Sequence, residues 1–195
     1  HLKTDTDYLD IGAWIGPTVL FAARRARHVW AFEPDPAAFR ALGWNLQLNA
    51  LDNVTALPAA IWDTIGVARM AGFRGEAGDS TTSLLNPGGA AGAEVLTIGF
   101  DDFAGAVDLS GVGLVKIDIE GYEPVAIRQL LKSTHAGRIM ALFYEMDERW
   151  SDAEEVRTTL RDAGFTKWRK FGIGRHYDML AEREIAQPDS AQQVA

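Results

Sequence analysis

Short apolar runs alternate along this chain with segments whose apolar residues recur at three- and four-residue spacing. Tyr8-Leu9-Asp10-Ile11 is the first run; it stops at Gly12 and predicts a buried strand. Pro17 stands where a first helical residue would, its fixed φ suiting that place, and Val19, Leu20, Ala23 and Ala26 give the following helix an apolar side. His28-Val29-Trp30-Ala31-Phe32 is a second strand. Asp35-Pro36 then supplies a cap and first turn for a helix with Phe39, Leu42 and Leu46 at helical spacing. Asn53 to Ile61 predicts a third strand, weakened toward its end by Pro58.

The middle is less regular. Ile65 to Met70 predicts a short strand and Glu94 to Phe103 contains another, with glycine-rich loops at Gly72 to Asp79 and Asn86 to Ala93 between them. Order returns at Leu114-Val115-Lys116-Ile117-Asp118-Ile119, a strand followed by Gly121 and a helix carrying Ile127, Leu130 and Leu131. Arg138 to Met146 is nearly continuous apolar sequence, the pattern of a strand covered on both faces. Ser151-Asp152-Ala153-Glu154 reads as a capping box for a helix that buries Ala153, Val156, Leu160 and Ala163 and stops at Gly164. Phe165 to Phe171 and His176 to Ala181 form a closing pair of strands around Gly172 and Gly174. Strands alternating with helices predict one α/β domain over residues 1–186 with a mostly parallel sheet, followed by a polar tail over 187–195.

Composition narrows the function. The 195 residues, 47% apolar and 24% charged, have the balance of a single globular domain. A formal net charge of −8 repels phosphate backbones, so no nucleic-acid partner is expected. The basic stretch Arg24-Arg25-Ala26-Arg27-His28 is expected at the carbonyl end of a helix, where cations are favoured. There is no cysteine, which excludes disulfides and thiolate metal sites. No run of apolar residues is long enough to span a membrane, and none is expected as a partner. His1-Leu2-Lys3-Thr4-Asp5 has no signal-peptide pattern, so the cytoplasm is the expected location; without an initial Met, the expectation is a fragment or a processed chain.

Parallel α/β sheets bind ligands at the carboxyl ends of their strands, which directs attention to the residues just after each one. After the first strand stands Asp10-Ile11-Gly12-Ala13-Trp14-Ile15-Gly16, where Gly12 permits a tight turn and Gly16 lets the next helix start close to a ligand. Glu33 follows the second strand, where an acid can accept hydrogen bonds from two ribose hydroxyls. A nicotinamide dinucleotide would need Gly-x-Gly-x-x-Gly so that backbone can approach its pyrophosphate. Here Trp14 occupies the second glycine position, and Asp10 sets a negative charge nearby. A sulfonium cation that carries no phosphate suits this acidic mouth better.

Together with later pieces, this sequence resembles the FkbM-type methyltransferase family. The matching residues are Asp10-Ile11-Gly12-Ala13 with Gly16, Phe32-Glu33-Pro34, Asn49, Ala60-Ile61, Ser83-Leu84, Asp101-Asp102-Phe103, Lys116-Ile117-Asp118-Ile119-Glu120-Gly121 with Glu123, and Glu145. The resemblance implies the class I methyltransferase (Rossmann-like) fold, a three-layer sandwich around a mostly parallel seven-stranded sheet with an antiparallel closing strand, and S-adenosylmethionine as cofactor. It further implies that Asp10, Gly12, Ala13 and Gly16 hold the methionine end, with Trp14 beside them. By the same resemblance Glu33 and its neighbour Pro34 hold the ribose, Ala60 lies near the adenine, and Asp118 and Glu120 face the methyl group and the acceptor. Trp14 departs from the small polar residue more usual in the family, and Gly99-Phe100 interrupts the expected Thr-Leu-Asp before Asp101.

A sulfonium methyl is already activated, so catalysis needs an acceptor held in line and, for an alcohol, a base to take its proton. Asp118, Glu120 and Glu145 are the candidate bases, with Lys116 positioning them; pleat alternation puts Lys116, Asp118 and Glu120 on one face while the strand stays extended. For Glu123 the expected role is helix-start electrostatics. Such carboxylates can also attract Mg²⁺, but no metal ligand is assigned. His28 and His135 are expected to be structural, Ser80 to Ser83 lie in a loop able to line an acceptor site, and His176 lies in the closing strands within reach of the pocket mouth. The expected activity is O-methylation of a small molecule or saccharide, with a homodimer possible. The competing expectations are an NAD-dependent oxidoreductase and a cofactor-binding interaction module without catalysis.

Overall fold

Asp7–Ile11 forms the first strand, β1, buried along its whole length in the computed structural model, which describes residues 1–72, 82–83 and 92–184. The elements that follow are α1 (Pro17–Ala23), β2 (Val29–Phe32), α2 (Pro36–Leu48), β3 (Val54–Leu57), β4 (Ala59–Trp62), β5 (Gly66–Gly72), β6 (Thr82–Ser83) and β7 (Ala93–Gly99). Then come α3 (Phe100–Ala106), β8 (Val112–Ile117), α4 (Glu123–Lys132), a 3₁₀ turn at Ala136–Arg138, β9 (Ala141–Asp147), α5 (Ala153–Asp162), β10 (Phe165–Phe171) and β11 (His176–Arg183). Most of the glycine-rich stretches expected at 72–79 and 86–93, Ser80 and Thr81 of the candidate acceptor loop, and the tail from 187 lie outside the described residues.

The main sheet has seven strands in the order β10-β11-β9-β8-β1-β2-β3. Pairing is parallel from β3 to β9, and β11 and β10 close the edge antiparallel. The chain winds outward from β1 in one direction and from β8 in the other, so the β1–β8 junction is the switch point where such sheets open a crevice. Helices α3, α4 and α5 pack on one face through Phe103, Ile127, Leu130, Val156 and Leu160. On the other, α1 and α2 bury Val19, Ala22 and Leu42 against Tyr8, Val29 and Ala31. The three-layer sandwich follows from β1 itself, whose alternating residues enter the two cores in turn. No helix among the described residues is long and apolar enough to cross a membrane.

Local differences from the sequence pattern have identifiable causes. Residues 53–61 are two strands, because Pro58 lacks the N–H that would continue the ladder; β3 stays in the main sheet, and β4 joins a second, four-stranded sheet ordered β4-β7-β5-β6. The strand expected within Glu94–Phe103 runs to Gly99, where α3 begins with Asp101 and Asp102 in its first turn, a position that favours acids. The strand expected over Leu114–Ile119 ends at Ile117. The strand expected from Arg138 starts at Ala141, after the 3₁₀ turn. α5 is capped by Asp152, not Ser151: its carboxylate accepts from the amides of Glu154 and Glu155. The basic stretch begins at the carbonyl end of α1, as expected: Arg24 is the C-cap residue and the Arg25 guanidinium donates to the Phe21 carbonyl in the last turn at 3.1 Å. Arg24 donates to Asn49, Arg25 covers the Phe21 ring, and Arg27 makes a bidentate pair with buried Asp7.

Candidate active site

The rim of the main sheet is drawn together at Gly12. Its backbone sits at φ 87°, and a Cβ there would lie 1.8 Å from the Asp118 carbonyl oxygen, so no side chain fits. The Gly12 and Ala13 amides both donate to the Phe32 carbonyl at 3.0 and 2.9 Å, while the Asp118 amide donates to the Ile11 carbonyl at 2.9 Å. The ends of β2, β1 and β8 are therefore laced into one ledge. Gly16, also at positive φ, receives the packing of Leu42, whose Cδ1 would be 2.5 Å from an added Cβ.

Glu33 reaches back to this turn. Its Oε2 accepts from the Trp14 amide and its Oε1 from the Asp35 amide, both at 2.7 Å, and the residue is only 6% exposed. Burial pushes its carboxyl up to about 7, even though the two backbone donors pull it down. Each carboxylate oxygen has two lone-pair sites, so the two amides leave one acceptor position on each. Trp14, which supplies one of those amides, is held at φ 49°, an unusual conformation for a bulky side chain. Pro34 is partly buried beside Glu33. Ala60 is buried on β4 and pairs with Thr97 of β7, so it belongs to the second sheet.

Beneath the turn, on the α1 side, lies a buried charge network. Asp10 has no exposed surface and accepts from Thr18 Oγ1 at 2.5 Å, Lys116 Nζ at 3.2 Å and Tyr8 Oη at 3.2 Å. Lys116 also donates to the Gly12 carbonyl at 2.9 Å and pairs with Asp118 Oδ2 at 3.2 Å. Burial alone would lower the Lys116 ammonium, but Asp10 and Asp118 outweigh it and hold it above its ordinary value. Asp10 and Lys116 thus brace the ledge from below.

Beyond β8 the pleat breaks. Glu120 is at φ 54° and Gly121 at 98°, so alternation stops before Glu120. The loop is pinned by Glu123, whose two oxygens accept from the Ile119 and Gly121 amides, each at 2.9 Å. Glu123 does begin α4 as expected, but its carboxylate is a bracket for the loop as well as a helix-start charge. Its burial raises it to about 7.

Around that loop the structure gathers Asp118, Glu120, Glu145 of β9 and His176 of β11. Asp118 keeps 41% of its side chain exposed. Burial, then the nearby Glu145 and Asp118 charges, raise Glu120 to about 7. Burial and Asp118 also raise Glu145, which meets His176 Nε2 at 2.5 Å. A cleft of about 270 Å³ beside this pair is lined by Glu145, Phe171, Gly172, His176, Tyr177 and Asp178. The sequence did not mark Tyr8 and Thr18 as partners of Asp10, nor Glu123 as the loop bracket. Thr18, two residues after Gly16, carried the most usable signal, a hydroxyl in the first turn of a helix facing an acid.

Residues 10–167 match the family model described as the methyltransferase FkbM domain. The search of curated proteins found no match. Among solved structures, the methyltransferase FkbM of Methylobacillus flagellatus superposes with a TM-score of 0.63 at 15% identity, over 93% of this chain and 44% of that one. This chain therefore spans less than half of that protein. A putative methyltransferase from Streptococcus mutans, solved in complex with SAH (S-adenosylhomocysteine), gives a TM-score of 0.57 at 11% identity and covers 94% of this chain and 91% of its own. An rRNA methylase from Streptococcus thermophilus gives 0.54 at 11%, covering 93% and 89%. At these identities the structural likenesses establish the fold.

Proposed function

The chain belongs to the FkbM methyltransferase family, and from that premise we propose that it transfers the methyl group of S-adenosylmethionine to a hydroxyl oxygen of a small molecule or saccharide. The observation that carries the cofactor side is the Glu33 carboxylate, fixed by the Trp14 and Asp35 amides against the Gly12 turn with one acceptor position open on each oxygen. That donor set fits a vicinal diol, which offers two O–H donors at matching spacing. When bound, S-adenosylmethionine supplies a sulfonium methyl already activated toward a nucleophile.

The chain's residues divide the remaining work. Glu33, with Pro34 beside it, orients the ribose; Gly12, Ala13, Trp14 and Gly16 shape the ledge for the methionine end; and Ala60 lies toward the adenine. Asp118, exposed at the ledge, presents a carboxylate to the cationic part of the cofactor. Lys116 and Asp10 act from below, holding the Gly12 carbonyl and the Asp118 carboxylate in place. Glu120 and Glu145 face the acceptor, where carboxyls raised toward neutral pH are suited to proton exchange.

The acceptor rim carries Asp118, Glu120, Glu145 and Asp178, and the chain's net charge is −8. Such a rim repels a polyanion, which favours a neutral or cationic hydroxyl compound over RNA. Two measurements test the proposal. SAH must raise the melting temperature of the chain while NAD does not, because only a true ligand shifts the folding equilibrium. Incubation with S-adenosylmethionine must then give a 14-dalton gain on a hydroxylated acceptor, the mass of one added CH₂, and none on an RNA transcript. Stabilisation by NAD alone would overturn it.

A further inference from the structure

Three features of the acceptor rim point beyond the carboxylates already named. His176 opens β11, and because β11 runs antiparallel to β9 its first residue lies opposite Asp147, at the end of the sheet that carries Asp118 and Glu120. Its Nε2 meets Glu145 Oε1 at 2.5 Å, diagonally across the two strands. The opposite ring nitrogen, Nδ1, has no hydrogen-bond partner among the described residues, and the side chain is 53% exposed on the wall of the 270 Å³ cleft. A carboxylate holding one imidazole nitrogen while the other faces open space is the arrangement that prepares a histidine to take a proton.

We infer that the His176–Glu145 pair is the proton acceptor for the hydroxyl that is methylated, with Nδ1 as the accepting atom and Glu145 fixing the ring. This deepens the methyl-transfer proposal and rests on it. The hydroxyl oxygen forms its bond to the methyl carbon as that carbon's bond to sulfur breaks, the electron pair staying on sulfur. The hydroxyl proton passes to Nδ1 and from there to solvent, so the positive charge lost at sulfur leaves as that proton. Glu120 and Asp118, read from sequence as candidate bases, then hold the acceptor and shape the field around it.

The charges facing the ring set its working range. Glu145 and Asp147 approach it from β9, Glu120 from the loop after β8 and Asp178 from β11; Arg149 is tied to Asp147. The Glu145 hydrogen bond raises His176 above the ordinary histidine value, and these acids add to it. Transfer therefore rises with pH as the ring loses its proton, with a midpoint above that of an unperturbed histidine.

The test is long-range ¹⁵N NMR of the histidine rings in the SAH-bound full chain, with the His176 signals assigned by their loss in His176→Gln. It is combined with transfer of labelled methyl to methyl α-glucoside, methyl α-mannoside and phenol as probe acceptors. The expected result is a neutral ring protonated at Nε2 and a titration midpoint that falls in Glu145→Gln. Transfer by His176→Gln should be slower by about 100-fold or more in kcat, with SAH affinity unchanged. A neutral ring protonated at Nδ1, a midpoint indifferent to Glu145→Gln, or undiminished transfer by His176→Gln would each overturn the inference. If SAH fails to bind the unaltered chain, it is the methyl-transfer proposal that fails. If none of the probes is methylated, the ring's tautomer and midpoint decide the matter alone.

Discussion

The two halves of the rim are built on opposite plans. At the β1–β2 end, Asp10 and Glu33 are buried and every oxygen has a donor: backbone amides on Glu33, and Thr18, Tyr8 and Lys116 on Asp10. At the β8–β9–β11 end, Asp118, Glu120 and Glu145 are partly exposed, and burial, then neighbouring acids, raises the affinity of Glu120 and Glu145 for protons. The first plan suits a fixed ligand whose shape never changes, because satisfied buried groups do not reorganise. The second suits exchange of protons with a changing acceptor, because partly exposed groups whose proton affinity is set by their neighbours respond to small changes in surroundings. On the proposed reading, one end holds and the other reacts.

Changes on the holding side should be the most severe. Gly12→Ala forces a Cβ onto the Asp118 carbonyl at positive φ, so unfolding in urea should show a loss of at least about 2 kcal/mol, or no folded protein at all. Glu123→Ala tests the hinge between the halves by freeing the Ile119 and Gly121 amides. It should lower stability by about 1–3 kcal/mol, and acceptor turnover by about tenfold or more as the Glu120 loop loosens, with SAH affinity nearly unchanged. An equal loss of SAH affinity would erase the distinction between the two ends.

A smaller effect follows from pH. Glu33 and Glu123 titrate near 7 in the folded chain against an ordinary 4.5, so between these values the folded state holds protons that the unfolded state releases. Their contribution to stability is present below about pH 4.5 and declines as pH rises through 7. The fall in melting temperature from pH 5 to pH 8 should shrink in Glu123→Gln, and an unchanged slope would show that this carboxyl is not buried as described. Smallest is Trp14→Asn, which relieves a bulky residue at φ 49° and should stabilise the chain by up to about 1 kcal/mol in thermal melts. Ala50→Gly, at the same φ beyond the end of α2, gives a comparison far from the site.

The proximity of Glu33 to the Gly12 turn was legible in the sequence, for a physical reason. Gly12 and Glu33 directly follow apolar strands, and in a parallel sheet strand ends lie on one edge, so linear order translates into proximity. The reacting end was less so. The Glu145–His176 pair depends on β11 running antiparallel beside β9, a pairing that no local pattern fixes. Pleat alternation also stopped short of Glu120, because the strand ends at Ile117 and the backbone turns left-handed at Glu120, where Glu123 grips the loop by a contact four residues from one amide and two from the other. At Pro58 the proline was visible as a weak point, but its consequence, a strand leaving for a second sheet, required the partner β7. Local chemistry could be read; pairings between distant segments could not.

The account depends most on Glu33 gripping a diol beside the Gly12 turn. Calorimetric titration of SAH at pH 8.5, where the Glu33 carboxyl is ionised, into the unaltered chain and a folded Glu33→Ala variant tests this directly. Loss of the charged acceptor should weaken binding by about 10- to 100-fold, the range for hydrogen bonds to a charged group. Equal affinity in the two proteins would contradict the account.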